Sequence, residues 1–127
     1  MSLGTSLSLS KDVVTRVNTN LSVYALRAAD MGQSEFSVAG LTLPNEDKLS
    51  VRHDLTSGGV QRKVARIDKT VVDSVLTPAT ASFHVVFTRP PNTAVTNAVI
   101  IELVNKMVDF LVTNSNANVT ALLNGEV

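Results

Sequence analysis

The 127-residue chain has no cysteine and no tryptophan, only five other aromatics, and no surplus of charge of either sign. Each absence excludes something. Without Cys there are no disulfides, no thiolate metal site and no cysteine nucleophile. With aromatics at 4% but hydrophobic residues at 44%, a core built from Val, Leu, Ile and Ala is expected. Eleven Lys plus Arg balance eleven Asp plus Glu, which rules out a uniformly basic surface but not a basic face offset by acids elsewhere. The apolar runs fall short of the roughly 18 to 20 residues that cross a bilayer as a helix. No charged, apolar and small-residue leader opens the chain. A soluble chain with no membrane partner is expected. The length fits one domain, and such a domain buries roughly two-thirds of its unfolded surface.

What is present reads first as strands. Thr5–Ser10 alternates apolar with small polar residues, the period of a half-buried strand. Lys11-Asp12 reads as a turn and Val13–Val17 as the returning arm of an N-terminal hairpin. Leu21 to Met31 mixes good helix formers with no cap and is expected to be a loop or short strand. Glu35–Ala39 reads as a short strand, closed by Gly40–Asn45 with Pro44. Lys48–Leu55 alternates over eight residues, with Leu49, Val51, His53 and Leu55 on one face. The turn Thr56-Ser57-Gly58-Gly59 leads into a long strand from Val60 to Val72, and a break at Asp73–Thr80 into another, Ala81–Arg89. Pro90-Pro91 ends the last by removing two ladder donors.

Beyond the prolines the period changes to three and four. Val95, Val99, Leu103, Met107 and Phe110, flanked by Ile100, Val104 and Leu111, form a wide apolar stripe. This predicts a long helix over about 94–113, capped by Thr93 or Thr96, and Thr113–Asn116 breaks it. A short helix over about 117–124 follows, with Gly125 just past its end. The fold class is therefore α+β: one domain over 1–127, an antiparallel sheet over about 5–89, then two C-terminal helices. One helix and a stub cannot cover a sheet face this large, so a homodimer whose helices pack across the partner is expected.

Three strings in this order resemble the coat proteins of the levivirus-type single-stranded RNA phages: Lys48-Leu49-Ser50-Val51-Arg52, Val64-Ala65-Arg66-Ile67-Asp68 and Phe87-Thr88-Arg89-Pro90. The resemblance spans roughly residues 5 to 127, with 21–34 poorly matched. It implies dimers that assemble into an icosahedral shell around single-stranded genomic RNA in the bacterial cytoplasm, ending in the virion. It also implies an RNA hairpin gripped by one dimer as a translational repressor. In that family the bare sheet face meets the RNA, while the loop at 73–80 makes contacts around the symmetry axes.

The strand pattern can be tested against that role. With Leu49, Val51, Ala65, Ile67, Phe83, Val85 and Phe87 under the helices, the opposite face carries Lys48, Ser50, Arg52, Arg62, Val64, Arg66, Asp68, Ser82, His84, Val86 and Thr88. A three-residue turn Ser57-Gly58-Gly59 sets Lys48 across from Asp68 and Ser50 across from Arg66. A two-residue turn would present Lys63 and Lys69 instead. The first keeps Ala65 and Ile67 in the core and gives four cations against one acid, suited to a polyanion. Lys48, Ser50, Arg52, Arg62, Val64, Arg66, Ser82 and His84 are the expected RNA-binding residues. Ser82 stands where better-studied relatives carry a base-stacking Tyr.

His53, on the apolar side, reads as a satisfied core histidine, and the two His on opposite faces make a shared zinc site improbable. No Gly-x-Ser-x-Gly, Walker-type or His-Glu-x-x-His string is present, and the pair Glu102 and Asp109 is too common on helices to assign. No catalytic residue, metal or cofactor is expected. The competing reading is a small cytoplasmic α+β homodimer, enzyme or ligand-binding protein, with its site between sheet and helix.

Overall fold

The computed structural model describes residues 4–13, 15–30, 32–39, 41, 45–55, 58–73, 75 and 77–126. Six strands, β1 (Ser6–Ser10), β2 (Leu21–Asp30), β3 (Gln33–Val38), β4 (Glu46–Leu55), β5 (Gln61–Val72) and β6 (Pro78–Arg89), form one sheet in the order of the chain. Every neighbouring pair is antiparallel. This unit, residues 1–90, is followed by a second unit, residues 91–127, holding the helical element α1 (Asn97–Leu123).

The sheet's core lies on one face. Tyr24, Phe36 and Leu49 are buried there, with Leu7, Leu9, Leu26, Val38, Val51 and Ile67 packed around them, so two of the few aromatics centre a core expected from aliphatic residues alone. Cross-strand pairing explains the cluster: Leu26, Phe36, Leu49, Ile67 and Phe83 are successive partners from β2 to β6. Leu49, Val51, Ala65, Ile67, Phe83, Val85 and Phe87 share this face as expected, but coverage is uneven. Phe36 is 1% exposed, whereas Phe83 is 57% exposed.

The expected N-terminal hairpin is replaced by a wider one. β1 pairs with β2, Ser10 facing Leu21, and Val13, Thr15, Arg16 and Val17 lie in no strand. Local polar bonds hold the connection: Asp12 Oδ1 accepts from Thr15 N, and Asn20 Nδ2 donates to the Thr15 carbonyl. Such side-chain bonds compete with a ladder. β2, expected as a loop or short strand, is ten residues long. Its helix formers yield to tertiary pairing on both edges, with a register shift between Leu26 and Ala28 that takes up Arg27.

The β4–β5 register is the expected one, with Lys48 opposite Asp68 and Ser50 opposite Arg66. Gly58 and Gly59 both adopt positive φ in the turn, while Thr56 and Ser57 lie outside the described residues, as does most of the expected break at 40–45. The break after β5 is shorter than expected, because β6 already begins at Pro78. Asp73 Oδ1 accepts from Val75 N and Thr77 N and closes that turn. His53 is exposed, not a core histidine. It sits on the apolar side but beyond the Tyr24–Phe36–Leu49 cluster, paired with Lys63.

In the second unit, one helical element stands where two helices were expected. The backbone nevertheless leaves helical dihedrals at Thr113–Asn116, where Asn114, Ser115 and Asn116 have φ of 52°, 56° and 66°. Asn tolerates this left-handed region better than most residues, and Asn118 Nδ2 bridges the interruption by donating to the Phe110 carbonyl at 2.7 Å. The helix starts at 97 rather than 94, because Thr96, not Thr93, is the cap and accepts from Val99 N. At the far end, Gly125 N donates to Leu122 O and Glu126 N to Ala121 O, so Gly125 ends the helix as expected. Val99, Leu103, Met107 and Phe110 of the apolar stripe are exposed, and Ile100, Val104 and Leu111 are half-buried.

Candidate nucleic-acid interface

The face opposite the core holds a shallow concavity of about 630 Å³. Seven of the eight expected residues line it: Lys48, Ser50, Arg52, Arg62, Val64, Arg66 and His84. Ser82 joins through its hydrogen bonds to Arg66 and Asp68. Strand periodicity brings them together. Alternate residues of β4, β5 and β6 point to the same side, and the register stacks them into rows: Ser50, Arg66 and His84 in one, Lys48, Asp68 and Ser82 in the next.

The electrostatics differ from a simple cationic patch. Asp54 pairs with Arg52 at 3.1 Å, and Glu35 of β3 enters the lining. The expected four cations against one acid therefore narrow. Lys48 and Arg62 make no ion pair among the described residues, while Arg66 is tied to Asp68. Arg66 Nε donates to Asp68 Oδ1 at 2.7 Å, Arg66 Nη2 donates to Ser82 Oγ at 3.1 Å, and Ser82 Oγ donates to the same Asp68 oxygen at 2.5 Å. The Ser82 hydroxyl, followed by Arg66 and the charge of Lys48, holds the Asp68 carboxyl below its usual range against the opposing effect of burial.

Several lining residues escaped the sequence reading. Ala28, Gln33, Ser34 and Glu35 arrive from β2 and β3: helix formers hid β2, and the short strand expected over Glu35–Ala39 runs from Gln33 to Val38. The alternation Gln33, Glu35, Ser37 against Phe36 and Val38 carried the signal. His53 and His84 stand on opposite sides of the sheet, as the periodicity implied.

This arrangement can receive phosphates at Lys48 and Arg62 and flat groups beside Arg66 and His84. No protein-family model and no curated protein sequence matches the chain. Solved structures do. The coat protein of bacteriophage EMS014 superposes with a TM-score of 0.76 at 12% identity, over 98% of each chain. A virus-like particle of bacteriophage NT-214 gives 0.72 at 15% identity, over 98% of this chain and 97% of that one. An unassembled bacteriophage coat protein dimer, described as RNA-binding, gives 0.64 at 13% identity over 96% and 94%. The fold is that of the bacteriophage coat proteins.

Proposed function

We propose that a chain with this fold is a capsid protein: it dimerises, assembles into a closed shell and packages single-stranded RNA, and it is not an enzyme. The observation that carries the reading is the superposition on phage coat proteins along nearly the whole length of both chains. The surfaces agree with it. Val71 and Phe83 of the sheet and Ile101, Leu103 and Met107 of the helix are at least half exposed in the single chain. Apolar area of this kind marks an interface. The 12-residue β6 stands at the end of the strand order among the described residues, and an edge strand of that length invites pairing with another copy.

The polar concavity is the surface offered to RNA, with Lys48, Ser50, Arg52, Arg62, Val64, Arg66, Ser82 and His84 as the contact set. Lys and Arg release counterions from phosphate, and the small side chains leave room for unstacked bases. The same surface can hold a hairpin and so repress translation. The particle forms in the host cytoplasm and is the virion's shell.

Expression in bacteria tests this directly. Purified protein should elute as particles far larger than a dimer, absorb strongly at 260 nm and appear as closed shells by electron microscopy. A clean dimer free of nucleic acid at every salt concentration would favour the small homodimeric enzyme or ligand-binding protein instead. Particles of the Arg52→Ala, Arg66→Ala double variant should retain less RNA while their dimers stay intact. Selection from a random hairpin pool should enrich one stem-loop if the protein is also a repressor.

A further inference from the structure

A nearly buried carboxylate at the centre of a surface for a polyanion needs a reason. The Asp68 side chain is 12% exposed, and Arg66 beside it is 51% exposed. Asp68 adds negative charge where phosphate is to bind, so its benefit must lie elsewhere. Its contacts show where. Arg66 Nε and Nη2 lie on one edge of the guanidinium, and both are held, one by Asp68 and one by Ser82, while Ser82 also donates to Asp68. A planar group held at two points on one edge has a fixed plane. Its remaining edge and its exposed face are then available to a ligand. Arg stacks through that plane on aromatic rings and bases, which an ammonium cannot do. Directly across the strands stand Ser50, too short to obstruct, and His84, an exposed ring.

Building on the RNA-binding reading, we propose that Arg66 is the base-stacking platform of this face and that Asp68 and Ser82 are its positioning residues. The ligand is an unpaired base of single-stranded RNA, with His84 as the neighbouring flat surface. Ser82 cannot stack on a base itself, so it contributes by orienting Arg66. Because the guanidinium is already ordered, less side-chain freedom is lost when a base arrives.

Fluorescence anisotropy with two labelled oligoribonucleotides of equal length and charge tests the proposal, one oligouridine and one abasic. Stacking on one platform should make the wild-type protein prefer oligouridine by about tenfold. Arg66→Lys keeps the charge and loses the plane, so the preference should collapse while abasic binding stays constant. Asp68→Ala and Asp68→Asn remove the same charge, but only Asn keeps an acceptor oxygen for Arg66. The preference should be lost in Asp68→Ala and largely kept in Asp68→Asn, with Ser82→Ala between them. Light scattering checks that each variant remains dimeric. A preserved preference in Arg66→Lys, or equal behaviour of the two Asp68 variants, overturns the proposal and leaves the RNA-binding reading standing. Failure of the wild-type protein to bind either oligonucleotide overturns both.

Discussion

The Tyr24 hydroxyl donates to Asp47 Oδ1 at 2.6 Å, a bond that skips β3 and ties β2 to β4 on the core side of the sheet. Burial, and then the bond to Asp47 and its charge, hold the phenol protonated well above its usual value of 10.0. The sign of the pH effect follows. Above pH 10 an unfolded chain ionises this phenol while the folded chain keeps it neutral, so the stabilisation is complete below that pH and fades as pH rises further. Tyr24→Phe should cost about 1 to 2 kcal/mol at neutral pH, through the lost bond to a carboxylate. It should also flatten the alkaline limb of a urea-unfolding series.

Asp68 predicts the opposite limb. Its folded carboxyl titrates below the usual 3.8, so its contribution is present above that value and disappears as pH falls through the lower, folded one. Asp68→Asn should therefore show a shallower loss of stability in acid than the wild-type protein. The comparison is made by unfolding midpoints between neutrality and the acid limb.

Phe36 and Phe83 lie on the same face, yet one is buried within the chain and the other stands open. Phe36→Ala should cost about 3 to 5 kcal/mol whatever the state of assembly. If the proposed dimer forms, Phe83→Asp should act on association, giving a species that stays monomeric at concentrations where the unaltered chain pairs. Analytical ultracentrifugation distinguishes the two. A normal dimer from Phe83→Asp would locate the interface elsewhere.

Ser115 has φ of 56° without the tolerance of its Asn neighbours. A non-glycine residue in this region carries roughly 1 to 2 kcal/mol of strain. Ser115→Gly should raise the thermal midpoint, and Ser115→Val should lower it. Equal midpoints would mean that the interruption carries no such strain.

The legible and illegible parts of this fold divide along a physical line. β4, β5 and β6 announced themselves because apolar and polar residues alternate along each, so the strands, their register and the residues that share the polar face were readable together. The caps at Thr96 and Gly125 were readable because their chemistry is local. β2 was not, since Ala25, Leu26, Ala28 and Ala29 favour helix in isolation and become strand only between β1 and β3. The Arg16 region misled for the converse reason: Val13 and Val17 look like a strand, but the Arg16 Nη2 bond to the Ser8 carbonyl and the Asp12 turn hold the segment outside the sheet. Within the candidate site, cations were visible by count. Asp68 was visible as the one acid of that face, but its bonds to Arg66 and Ser82, and the bond from Arg52 to Asp54, depend on side-chain rotamers that strand alternation does not specify.

The sheet's order has a consequence for how the protein is made. Among the described residues, every strand pairing joins two strands that are consecutive in the chain. Contacts close in sequence form quickly, and the hairpins can zip one by one as the ribosome releases them. The helical segment follows the sheet in the chain, so a newborn chain can complete its six strands before the exposed apolar stripe of α1 leaves the ribosome, and the scaffold is finished before its greasiest element appears.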